Sequence, residues 1–146
     1  FHSRFSAKKR TYFYRILNRK SPSPLLTNRA WFIPYNLDTT DMLEASKCLI
    51  GKHDFNSFRS SQCQAKNSIR SIDEITILRK DDEIHFSISA KSFLHNQVRI
   101  IVGSLVNVGR KFWKRDKIKE VLKQKLRTKA GPTAPSHGLY LEKISY

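Results

Sequence analysis

The chain has 146 residues, 39% of them apolar, enough for one domain with a core of its own. Lys and Arg number 28 against 12 Asp and Glu, a formal charge of +16 that calls for an anionic partner, nucleic acid ahead of a membrane surface. There is no long apolar run, no export signal and no metal-ligand spacing. Cys48 and Cys63 stand far apart, and His2, His53, His85, His95 and His137 are scattered, so a reduced cytoplasmic setting without metal or membrane is expected.

In chain order, residues 8–18 (KKRTYFYRILN) alternate through Tyr12, Tyr14 and Ile16 and predict a strand with one wet face. The prolines at 22, 24 and 34 keep the following stretch irregular. Residues 38–50 predict a helix. Asp38, Thr39 and Thr40 offer capping oxygens, Met42, Ala45 and Leu49 form the buried stripe, and Gly51 is the stop. A loop through His53, Asp54, Phe55, Phe58 and Arg59 leads to a polar stretch ending near Asn67. Residues 69–79 and 83–90 alternate on either side of Asp81-Asp82 and predict a hairpin.

Residues 93–108 predict the strongest helix, with Leu94, Val98, Ile101, Val102, Leu105 and Val108 at helical spacing. Gly103 lies inside it. Glycine costs a helix about 1 kcal/mol relative to alanine, and close approach of another backbone is the expected reason for it. Residues 115–125 predict a further helix and residues 139–145 a last strand. The order β-α-β-β-α-α-β implies an α+β fold, an antiparallel sheet with helices packed on one face.

Three patterns bear on chemistry. Tyr12 and Tyr14 share a strand face, which suits either an ordinary half-buried strand, the favoured reading, or a platform for stacking unpaired bases. Arg99 follows an apolar contact position in a buried helix. It needs either an anionic partner or a path along the helix border to water. His53-Asp54 pairs an imidazole and a carboxylate, but the loop reads better as one anchored by Phe55 and Phe58.

Taken together, FHSRFSAKKRTYFYRI, HDFNSFR, SFLHNQVRIIVGSLVNVG and RTKAGPTAPSHGLYLEKISY resemble, in order and spacing, the TruA family of tRNA pseudouridine synthases. The resemblance runs over all 146 residues. It implies the pseudouridine synthase, ferredoxin-like fold, with residues 1–146 as the C-terminal domain. It also implies isomerisation of uridine to pseudouridine at positions 38 to 40 of the tRNA anticodon stem-loop, by a homodimer without metal or organic cofactor. Tyr12 then matches the tyrosine that stacks on the target base and takes the C5 proton. Arg99 matches the arginine that pairs with the catalytic aspartate, and Leu94 matches a wall of the base pocket. Phe1, His2, Ser3, Arg4 and Phe5, and Gln62, Cys63, Gln64, Ala65 and Lys66, match tRNA-contacting stretches.

The family's nucleophile lies in an Arg-Thr-Asp motif that these 146 residues do not contain. Arg127-Thr128 is followed by Lys129. With Phe1 in place of an initiating methionine, the chain is expected to be a piece of a longer or processed protein, inactive alone. Arg99, deprived of its aspartate, is expected to find a substitute: a sulfate or phosphate, a nearby Asp or Glu of this chain, or water. Gln97, where the family usually has methionine, and Lys129, Pro132 and Pro135, in place of an alanine-rich run, are departures expected to alter packing near Arg99 and the loop before the last strand. A stand-alone basic RNA-binding or ribosome-associated module is the alternative reading.

Overall fold

The computed structural model describes residues 9–61, 63 and 65–145. Six strands form one sheet: β1 (Lys9–Asn18), β2 (Trp31–Ile33), β3 (Gly51–Asp54), β4 (Ile69–Lys80), β5 (Glu83–Ala90) and β6 (Leu139–Ser145). Among the described residues three α-helices accompany them: α1 (Thr39–Ser46), α2 (Gln97–Gly109) and α3 (Lys117–Gln124). The class is α+β, as the element order implies. The sheet runs β2-β1-β5-β4-β3, with β6 also paired to β1.

A strand has two edges, and one edge of β1 is taken by β5 from Arg10 to Leu17. The other edge is shared. β6 runs antiparallel to Lys9–Tyr14, and β2 runs parallel to Ile16–Asn18. This short parallel pairing makes the sheet mixed where an antiparallel one was expected. β2 and β3 are only three and four residues long, too brief for alternation to reveal. Elsewhere the antiparallel hairpin is as predicted. Lys80 faces Glu83, and Asp81 takes a φ of 56°, the left-handed backbone a two-residue hairpin turn uses.

Period-two alternation sets the two faces of the sheet. Tyr14, Ile16, Ile84, Phe86, Ile88, Ile75 and Ile77 point one way and are buried. Met42 and Ala45 of α1, Val98, Ile101, Val102 and Leu105 of α2, and Ile118 and Val121 of α3 close over them in one core. The opposite face carries Phe13 and Arg15 beside Ser87 and His85, only half buried.

Of the thirteen residues of α2, all but Arg99 are buried. A helix that is apolar all round sits inside a protein, so its one uncovered side chain stands out. The helix begins later than its apolar spacing predicts. Asn96 adopts a φ of 63° and breaks the helical path, leaving Phe93–Asn96 outside the helix. Asparagine is among the few residues that tolerate that region. The first helix is likewise shorter than predicted, closing in a 3-10 turn over Lys47–Leu49. At its start Asp38 caps the backbone N–H of Asp41 at 3.0 Å.

Candidate active site

Tyr12 lies on the helix-facing side of β1, two residues before Tyr14, but the two phenols have different surroundings. Tyr14 is fully buried and donates its hydroxyl to the Pro135 carbonyl at 2.6 Å. Burial pushes its pKa well up, against the opposing pull of the Arg99 charge. It is a structural phenol. Tyr12 is half buried and borders a cavity of about 300 Å³. A bulge in the β1–β6 pairing falls between Thr11 and Tyr12. The Phe93 ring stands edge-on to Tyr12, centroids 5.3 Å apart at 81°.

The same cavity is lined by Leu94, by Asn96, Gln97 and Arg99 around the start of α2, and by Leu139 at the start of β6. Tyr12 thus meets Leu94 and Arg99, more than eighty residues further along the chain, on one cavity. Cys63, Ala65 and Lys66 do not line it. Cys63 borders a separate cavity, the Ala65 carbonyl accepts from Arg59 Nη1 at 3.2 Å, and Lys66 is exposed. Phe1, His2, Ser3, Arg4, Phe5, Gln62 and Gln64 lie outside the described residues.

Arg99 is held by neutral oxygens. Its Nε donates to the Ala134 carbonyl at 2.7 Å and its Nη1 to Asn96 Oδ1 at 3.1 Å. The Ala134 N–H returns a bond to the Arg99 carbonyl at 3.0 Å. Among the described residues no carboxylate pairs with Arg99. No nearby Asp or Glu takes the aspartate's place, as one of the expected substitutes would have; the partners are a backbone carbonyl and an amide, neither of which neutralises the charge.

The loop that supplies these carbonyls is pressed onto α2. A β-carbon on Gly103 would run into the Pro132 carbonyl, with the carbonyl carbon 2.8 Å away. Gly103 is thus a site of close backbone approach, as its cost in a helix implied. The loop is further tied by Gly131 N–H to Ser104 Oγ at 2.9 Å. Pro132 and Pro135 present their carbonyls inward.

Gln97 is fully buried and accepts the Leu94 N–H on Oε1 at 2.8 Å. That bond pins the turn bearing Leu94. Its Nε2 has no partner among the described residues, a vacancy that costs about 1–3 kcal/mol. Nothing in the residue pattern marks Phe93 and Leu139 as walls, since each reads as ordinary apolar filling. Ala134 and Pro135 act through carbonyls, which no side-chain pattern records.

An aromatic ring with a hydroxyl, an apolar wall and a guanidinium without a counter-charge, gathered around a small cavity, suit a planar polar ring beside an anion. Residues 45–146 match the tRNA pseudouridine synthase family. The chain belongs to that family. Over all 146 residues it is 54% identical to a tRNA pseudouridine synthase A of Wolbachia pipientis wMel and 50% identical to one of Ehrlichia chaffeensis. It is 48% identical to another of Anaplasma phagocytophilum. In each case the whole of this chain aligns, and it spans 60%, 60% and 59% of those proteins. Membership of the pseudouridine synthase family accords with the α+β fold. Among the described residues no helix is long and apolar enough to cross a membrane.

Proposed function

We propose that this chain is the C-terminal domain of a tRNA pseudouridine synthase and provides the tyrosine–arginine side of its site. The observation that carries this reading is the meeting of Tyr12, Leu94 and Arg99 on one cavity. The nucleophilic aspartate belongs to the part of the protein outside this chain. Arg99 would pair with it and keep it ionised, exchanging a neutral oxygen for a carboxylate.

In the reaction the target uridine leaves the stack, and the Tyr12 ring offsets part of the lost stacking. The aspartate forms a bond to the nucleoside and the N1–C1′ bond breaks. The uracil turns over, C5 bonds to C1′, and the aspartate is released. The Tyr12 hydroxyl takes the proton from C5 as it gives up its own, and one proton passes through solvent to N1, so the tyrosine ends unchanged and the product is an isomer of the substrate with no co-reactant. Leu94 confines the ring while it turns. Action at positions 38 to 40 of the anticodon stem-loop, a homodimeric assembly, a cytoplasmic location and RNA contacts through Phe1–Phe5 and Gln62–Lys66 belong to the same proposal. Neither metal nor organic cofactor has a step in it.

Tritium release from C5-labelled tRNA by the full-length protein is the test. The wild type releases tritium. Tyr12→Phe keeps the ring and binds tRNA with nearly unchanged affinity, yet loses turnover. Absence of release by the wild type refutes the reading as an enzyme and leaves the RNA-binding module. Near-normal release by Tyr12→Phe refutes the role given to its hydroxyl.

A further inference from the structure

A second, polar cavity of about 160 Å³ lies beside the first. Arg59, Ser60, Ser61 and Cys63 line one side of it, and Leu126 and Arg127 the other. The two cavities are linked at one hydrogen bond, from the Ser60 N–H to the carbonyl of His95, at 3.0 Å. His95 lines the Tyr12 cavity.

Two arginines line the second cavity. Hydrogen bonds orient both: Arg59 to the Ala65 carbonyl at 3.2 Å and to the Cys63 side chain, and Arg127 to the Gly131 carbonyl at 2.9 Å and Thr133 Oγ1 at 3.0 Å. Among the described residues neither has a carboxylate partner. Burial lowers the pKa of Arg127, as for a charge whose desolvation nothing repays, although a guanidinium stays protonated at any physiological pH. Two partly buried like charges on one small cavity are unfavourable until an anion joins them. A phosphate group fits: it is small, its oxygens accept from the arginine fork, and its charge completes the pair. A nucleobase would gain little from two cations in so small a space.

We propose that Arg59 and Arg127 form a phosphodiester subsite that grips the RNA strand beside the flipped uridine. The inference rests on the reading of the chain as an RNA-modifying protein. The shared Ser60–His95 link lets one polynucleotide strand fill both cavities, base in one and backbone in the other.

The test uses the full-length protein and anticodon stem-loops carrying a single methylphosphonate, one phosphate at a time. Neutralising one phosphate next to the target uridine weakens wild-type binding about 10-fold, the worth of a charge-assisted contact. Arg59→Gln and Arg127→Gln each bind the unmodified RNA about 10-fold more weakly and lose no more at that phosphate. Arg127 also holds the turn it belongs to, so thermal melts accompany the binding; if Arg127→Gln fails to fold, Arg59→Gln decides. Arg59→Lys keeps the charge without the fork and recovers part of the affinity. Variants that keep the full sensitivity at every phosphate, or that bind as the wild type, overturn the subsite. A wild type that releases tritium but shows no sensitive phosphate overturns the subsite alone. A wild type that neither releases tritium nor binds RNA overturns the functional reading with it.

Discussion

Gly103→Ala tests how the loop before β6 is seated. In a free helix the change would favour the folded state by about 1 kcal/mol. Here the new methyl meets the Pro132 carbonyl, with the Ala134 nitrogen 3.4 Å away. The loop cannot simply lift, because Gly131 is bound to Ser104 and Ala134 exchanges two hydrogen bonds with Arg99. Overpacking of this kind costs about 1–3 kcal/mol and breaking one of those bonds about 1 kcal/mol more. After the helix gain is set against these, a net loss of about 1–3 kcal/mol is expected. Urea unfolding at neutral pH measures it as a lower midpoint at unchanged slope. Because the displaced loop carries the carbonyl that orients Arg99, the full-length variant should also turn over more slowly than its residual stability explains. A Gly103→Ala protein as stable as the wild type, or more so, would refute the close packing and the inferred link to Arg99.

Three further outcomes are expected. Tyr14→Phe leaves the Pro135 carbonyl without its buried donor and lowers stability by about 1–3 kcal/mol, read by the same urea titration; an unchanged midpoint would show that the hydroxyl is replaceable. Arg99→Ala in the isolated chain removes the donors to Ala134 and Asn96 and costs about 1–2 kcal/mol, whereas a stabilised variant would mean that the unneutralised charge dominates. The Arg15 guanidinium holds the Glu83 carboxyl at about 2, against the opposing effect of burial and with help from His85. A carboxylate held below its ordinary 4.5 adds stability that is complete above that pH and fades as pH falls toward 2. Glu83→Gln should therefore cost about 0.5–1 kcal/mol near neutrality, after solvent screening, and nothing at pH 2; a gap that persists in acid would refute the pairing.

The elements legible in the sequence were those long enough to repeat. The β4–β5 hairpin showed alternation on both arms around an aspartate pair, and Gly103 announced a close approach because glycine is poorly suited to a helix interior. β2 and β3 escaped because three or four residues complete no pattern and because β2 exists only by lying against β1. The start of α2 was misplaced because Phe93 and Leu94 continue its apolar spacing, while the left-handed Asn96 that ends it leaves no mark in periodicity. At the site, Tyr12, Leu94 and Arg99 could be named from resemblance, and their cavity follows from the register of β1 against β5 and β6. The carbonyls of Ala134 and Pro135 could not be named, since any residue supplies a carbonyl and only the path of the loop aims it. The convergence of Arg59 with Arg127 was hidden for the same reason: sixty-odd residues of unrelated pattern separate them.

The sharing of one β1 edge by β2 and β6 has a consequence for biosynthesis. A polypeptide emerges from the ribosome in order, so β1 can pair with β5 long before β6 exists. The Tyr14 hydroxyl then waits for a carbonyl 121 residues further along. Until Leu139 arrives, the Tyr12 cavity lacks a wall and half of the β1 edge lies open to any passing strand. Contacts this distant are the last to form and slow the folding of a small domain. The nascent chain thus carries an adhesive edge through most of its synthesis, at the residues that border the Tyr12 cavity. A holdase chaperone that binds extended apolar segments would find its substrate there, and a pause just before the codons of β6 would prolong the hazard.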